Sequence, residues 1–203
     1  MMVDVQKRFK LRVTYVKQNR LAYLSHLEIT SALERAVRRA KLPFGVSQGF
    51  SPHMLLSFGS ALPVGVGSTC EIFDVTLNDY VNPEVALASL KQVMPSDLMA
   101  TNAEYVGVKS PAASVTFENS TYRAKYEGEI PDFEVPETIE VIRKKKVKIL
   151  NVDDFLVDMP EIIGQSIECT LRSSQAGSLR IDNLLNSFNI DTSLKSVTRI
   201  CQF

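Results

Sequence analysis

The order of element patterns across residues 9–108 constrains this chain more than any other feature. FKLRVTYVK alternates, with Leu11, Val13 and Tyr15 on one side and Lys10, Arg12 and Thr14 on the other. That is the signature of a half-buried strand. QNR reads as a turn. A helix is expected from about Ser25, because Ser25 followed by Glu28 fits a reciprocal capping box. Ile29, Leu33, Ala36, Val37 and Ala40 then form one helical stripe, and LPFG ends it. FGVSQGF and MLLSFGSALPVGV follow, and TCEIFDVTL reads as a strand. PEVALASLKQVMP predicts a helix with Pro83 in its first turn and Pro95 past its end. LMATNAEYVGV closes the set as a strand. The order is β-α-β-β-α-β, the ferredoxin-like unit, in which right-handed crossovers put both helices on one face of an antiparallel sheet.

SPAAS at 110–114 reads as a linker. Beyond it SVTFENSTYRAKYEG is strand-like, VPETIEVIRK predicts a short helix, and KKVKILNV and IECTLRSS predict strands. SLRIDNLLNSF predicts a helix capped by Ser178, and LKSVTRICQF a final strand. The expected fold class is therefore α+β, with two tandem ferredoxin-like (βαββαβ) domains over residues 7–110 and 111–203.

The 203 residues are 45% hydrophobic and 23% charged, which fits a globular protein and leaves no apolar run long enough for a membrane span. The charged start MMVDVQKRFK lacks a signal-peptide core, so a cytoplasmic location and no membrane partner are expected. Cys70, Cys169 and Cys201 are odd in number and far apart, which argues against a disulfide framework or an iron–sulfur motif. They read as small buried apolar residues. Charge is balanced overall but unevenly spread. Residues 1–50 hold ten Lys and Arg against Asp4, Glu28 and Glu34, a net of +7, leaving −7 for the remainder. Such asymmetry suggests a basic face for an anionic partner such as nucleic acid, or else charges spread around a solvated surface.

Between Leu11 and Leu77 the motifs are dense. They are Arg12 to Lys17 (RVTYVK), Leu24 to Glu28 (LSHLE), Arg35 to Pro43 (RAVRRAKLP), Gly49 to His53 (GFSPH), Leu56 to Phe58 (LSF), Leu62 to Val66 (LPVGV) and Ser68 to Glu71 (STCE). In this order they resemble the radical-SAM-associated family of unknown function, whose members occur as free-standing small proteins or fused behind a radical SAM domain. The resemblance implies a radical SAM protein acting in trans as partner, since this chain lacks that enzyme's three-cysteine motif. It covers about 67 residues. The chain departs from the family's pattern at Ser31, often arginine, at Gln48, often acidic, at Ser51, often asparagine, and at Met54 and Leu55, often Pro-Lys.

Three functions are compatible with these residues. The first is an RNA-binding module, with Arg12, Lys17, Arg35, Arg38, Arg39, Gln48, Gly49 and Phe50 as its contacts. Arginine matches phosphate oxygens bidentately, and the glycines at 45, 49, 59, 65 and 67 let backbone approach a ligand. Lys10, Arg20 and Lys41 add to this basic quarter. The competing reading is a salt-bridged helix surface, with Glu34 and Arg38 paired at i,i+4, core roles for Phe50 and Phe58, and bulged hairpins at the glycines. The second is a metal-independent endoribonuclease with His26 and His53 as acid and base, by analogy of arrangement with CRISPR-repeat-processing enzymes. The competing reading makes His26 a helix-start residue and His53 a turn residue. The third is a protein adaptor that never touches RNA. No cofactor is expected. The histidines with Glu28 fall short of a zinc site, and serine-hydrolase and phosphate-loop motifs are absent. RKKKVK at 143–148 is a second basic run, with the bland alternative of a strand edge kept from aggregating.

Overall fold

The computed structural model describes residues 8–143, 146–174 and 177–203. The protein is an α+β fold and divides into two compact units, Met1–Thr116 and Phe117–Phe203. Among the described residues, no helix is long and apolar enough to cross a membrane.

The first unit runs β1 (Phe9–Lys17), α1 (His26–Arg39), β2 (Leu56–Phe58), β3 (Gly67–Leu77), α2 (Pro83–Val93), β4 (Ala100–Val106) and a single helical turn α3 (Ala113–Thr116). Its sheet has the order β2-β3-β1-β4, with every neighbouring pair antiparallel. Two α-crossovers that each skip one strand produce this interleaving. The helix start follows its sequence signal. The Ser25 backbone N–H donates to Glu28 Oε2 at 2.8 Å, and the Glu28 N–H donates to Ser25 Oγ at 3.4 Å. This accounts for two of the free donors at the helix N-terminus. Ile29, Leu33, Ala36 and Val37 are buried, joined in the core by Leu11, Val13 and Tyr15 from β1, by Phe73, Val75 and Leu77 from β3, and by Ala86 and Leu90 from α2. Pro83 occupies the first turn of α2, where its missing N–H costs nothing, and Pro95 lies beyond its end.

The other face of β1 is not open to solvent as simple alternation implies. Arg12 is 6% exposed and Asp74, its cross-strand partner, 1%. Residues 110–113 close over them. Lys10 Nζ donates to the Ser110 carbonyl at 2.7 Å, Arg12 Nη2 to that of Pro111 at 3.4 Å, and Ala113 is fully buried. The segment read as a linker thus covers the sheet of the first unit.

The second unit contains β5 (Asn119–Tyr126), β6 (Thr138–Arg143), β7 (Lys146–Asn151), β8 (Glu161–Ile163), β9 (Ser166–Ser174), β10 (Gly177–Ser178), α4 (Ile181–Ser187) and β11 (Leu194–Gln202). β5 lies between β9 and β11, antiparallel to both. β8 and β10 pair with β9, and β6 with β7 forms a separate hairpin. The helix expected over VPETIEVIRK is instead strand β6, so this unit does not repeat β-α-β-β-α-β. Ile139 and Val141 are buried while Glu140 and Ile142 are exposed, a period of two. The β-branched Thr138, Ile139, Val141 and Ile142 suit that pleat better than a helix turn. The last helix also starts later than expected. Ser178 lies in β10, and Arg180 occupies the N-cap without a side-chain cap bond. Of the cysteines, Cys169 is buried, Cys70 half-buried and Cys201 exposed, so Cys201 departs from its expected burial. All three are free thiols.

Candidate nucleic-acid interface

Helix α1 sorts its residues by face. Its apolar stripe is buried, and Arg35, Arg38 and Arg39 are exposed on the opposite side, with exposed Lys41 just beyond. Among the described residues, no carboxylate lies within ion-pair distance of these three arginines, and Glu34 does not bridge to Arg38. The Arg38 guanidinium instead sits over the ring of Phe44, 4.9 Å from its centroid. Arginine's planar, weakly hydrated cation favours such a face.

Phe44 begins an arm. It bridges to Leu77 at the end of β3, after which the chain leaves the sheet and returns at β2. Gly45 N–H donates to Thr76 O at 2.7 Å and Leu55 N–H to Gly45 O at 2.9 Å, closing the arm's base. A Cβ at Gly45 would meet Asn78 Oδ1 at 3.1 Å, so the close strand approach favours glycine there. Farther out, Val46 bridges Met54, and Ser47 and His53 exchange bonds. The Ser47 N–H donates to His53 O at 2.8 Å, and the His53 N–H to Ser47 Oγ at 3.0 Å. The tip holds exposed Gln48, Gly49 at φ +145°, and Phe50, whose ring is fully exposed. Phe50 is therefore not core. Phe58 is half-buried at the end of β2.

The structure places Arg12 and Lys17 elsewhere. Arg12 Nε donates to Asp74 Oδ1 at 2.7 Å and Nη2 to Asp74 Oδ2 at 3.0 Å, a bidentate buried pair. The hydrogen bond to Asp74 holds the guanidinium pKa above its ordinary value, against the opposing effect of burial. Lys17 is 3% exposed, at the end of β1 on the core side of the sheet. Neither residue belongs to the exposed basic surface of α1. Lys144 and Lys145, the centre of the second basic run, lie outside the described residues.

A cleft opens at the end of the sheet beside the first turn of α1. Lys17, His26, Phe58, Ser60 and Glu71 line it, with Tyr15 and Ile29 among its apolar walls. His26, the first residue of α1, is exposed and meets Phe58 edge-on, with ring centroids 5.0 Å apart. His53 is not among the lining residues, and the structure does not bring the two histidines together in this cleft. Glu71 is the residue that sequence reasoning passes over. Its place in the STCE motif is the available signal, and only the fold sets it beside Lys17 and His26. Among the described residues, no group of three or more His, Cys, Asp or Glu side chains could hold a metal ion.

The fold and site define an α+β protein carrying an exposed arginine face, an arm with an exposed aromatic at its tip and a polar cleft. A family model described as an uncharacterized protein conserved in bacteria (DUF2344) matches residues 10–181, and the chain belongs to that family. No curated protein matches it.

Proposed function

We propose that the first unit is an RNA-binding module, using the exposed face of α1 and the arm over residues 44–55. The observation that carries this reading is the contact of Arg38 with Phe44, which joins the cationic face to the base of the arm. Cations beside an exposed aromatic suit a nucleic-acid strand. The phosphates take guanidinium hydrogen bonds, and a base stacks on the ring of Phe50. Arg35, Arg38, Arg39, Gln48, Gly49 and Phe50 serve this surface. Arg12 and Lys17 serve the fold and the cleft instead. Cleavage by His26 and His53 gains no support from the geometry, since only His26 borders the cleft.

The same reading makes a radical SAM enzyme the partner in trans, to which the bound RNA is presented. Its support is the motif order from Arg12 to Glu71 and the separation of the cysteines. Cys70 stands in β3, Cys169 in β9 and Cys201 in β11.

Charge reversal tests the RNA surface. Arg35→Glu with Arg38→Glu, titrated against cellular RNA at several salt concentrations, should weaken binding. It should also lower the slope of log affinity against log salt by roughly 0.7 for each single-strand phosphate no longer neutralised. Affinity and slope equal to wild type would refute the proposal. So would a wild-type chain that retains no RNA at low salt.

A further inference from the structure

A second opening in the first unit is larger than the cleft and differs from it in chemistry. It lies between the turn Asn19–Tyr23, α1 and the C-terminal end of α2, and holds about 280 Å³. That is close to the lower end of small-molecule sites, about 300–1,000 Å³. Met94 and Leu98 are buried at its base, and Leu21, Leu24, Ala32 and Val93 are half-buried along its sides. Arg35 and Arg39 are its charged lining residues, and every other lining side chain is apolar among the described residues. Both arginines are exposed, and neither has a carboxylate within ion-pair distance among the described residues. They stand one helical turn apart, about 6 Å along the axis of α1, so that a single anion can accept hydrogen bonds from both.

We infer that this groove binds a free single-chain molecule, its hydrocarbon chain on the apolar side chains and its anionic head on Arg35 and Arg39. Charge complementarity and the apolar lining select that occupant together. A hydrocarbon chain makes no hydrogen bonds and loses nothing against Leu21, Leu24, Val93, Met94 and Leu98. A nucleobase edge or an extended peptide would be left there with unsatisfied donors and acceptors. The head remains at the rim, where two guanidiniums supply the hydrogen bonds that the lining lacks. A cationic or neutral head gains nothing from those arginines. The inference goes beyond the RNA-binding reading. Arg35 and Arg39 belong to both surfaces, so the test contains no RNA and its outcome is independent of that reading.

The test titrates the full chain with hexanoate, octanoate and decanoate, each below its micelle concentration, and with octanol and octylammonium as controls. Calorimetry reads affinity, and carbon-13 methyl NMR reads location. Binding should be saturable and should tighten roughly two- to fourfold for each added methylene. Octanoate should bind at least about tenfold more tightly than octylammonium, the value of one charge-assisted hydrogen bond. Methyl shifts should centre on Leu21, Leu24, Val93, Met94 and Leu98. Arg35→Ala with Arg39→Ala should bring octanoate to the affinity of octanol and keep the dependence on chain length. Ala32→Leu, which fills the groove, should abolish binding with the urea midpoint unchanged. Absence of saturable binding by all three alkanoates overturns the inference. So do equal affinities for octanoate and octylammonium, or shifts centred outside the groove. Binding to anionic phospholipid vesicles without binding of a free alkanoate assigns the groove to a membrane surface and overturns it as well. A dimer in sedimentation that Ala32→Leu dissolves, again without alkanoate binding, assigns it to a second copy with the same consequence. The ligand comparison uses wild-type protein, so a variant that fails to fold does not decide the outcome.

Discussion

Replacing Asp74 by alanine should cost the first unit about 3–5 kcal/mol, the usual penalty for removing one partner of a buried ion pair. The geometry leads to the same range. Arg12 and Asp74 are 6% and 1% exposed and share two hydrogen bonds of 2.7 and 3.0 Å. Hydrogen bonds to charged groups contribute about 1.5–3 kcal/mol each. The truncation also takes both of these bonds from the guanidinium beneath residues 110–113, with the charge of Glu104 as partial compensation, and the Lys10 ammonium, 3.8 Å from Asp74, loses that carboxylate as well. Urea unfolding followed by far-UV circular dichroism measures the destabilisation. At an m-value near about 2 kcal/mol/M, the midpoint of the first unit's transition should fall by about 1.5–2.5 M. Arg12→Met combined with Asp74→Leu should recover much of the stability, because the guanidinium is no longer buried without its carboxylate and Lys10 keeps its bond to the Ser110 carbonyl. A destabilisation below about 1 kcal/mol for Asp74→Ala would refute the reasoning, given that exposed ion pairs are worth no more than that. A double variant as unstable as the single one would refute the charge-stranding argument.

Phe50→Ala should weaken RNA binding by about 1–3 kcal/mol, the value of one base–aromatic stack, while leaving the salt slope and the urea midpoint unchanged. A changed midpoint would mean that the ring supports the arm rather than a ligand. The Ser25 hydroxyl and backbone N–H hold the Glu28 carboxyl below its ordinary pKa. The capping contribution should therefore be complete above the ordinary glutamate range and fade as pH falls through the lowered value. Ser25→Ala should return the Glu28 titration, followed by carboxyl-carbon NMR, towards the ordinary range, and an unmoved titration would contradict the capping box. Burial pushes the Cys169 thiol up to about 12, with the charge of Glu168 adding to the effect. At a pH of about 8, below the ordinary thiol range, a maleimide should label exposed Cys201 rapidly and leave Cys169 unmodified until the chain unfolds. Equal labelling in the native protein would show that β9 opens to solvent around Cys169.

Much of the first unit was legible because its signals are local. The Ser25–Glu28 box, the stripe from Ile29 to Val37 and the prolines around α2 each act within a few residues, so the sequence carries them openly. The same holds for the exposure of Arg35, Arg38 and Arg39, which the helix period sets opposite that stripe. Local signals failed where partners are distant. VPETIEVIRK has a helix-like spread of apolar residues, but pairing with β7 makes it a strand. The alternation of β1 places Arg12 on the polar side, yet the chain 99 residues later returns to cover it. By itself, then, the sequence determined the capped helix α1, the strands β1, β3 and β4 of the first unit, and the cationic face. Only the tertiary structure decided that Arg12 is buried on Asp74, that Phe50 stands clear of the core, and that Lys17, His26 and Glu71 share one cleft. The reason is that a side chain's surroundings depend on segments far apart in the chain, and the local period that sets its face says nothing about what comes to cover it.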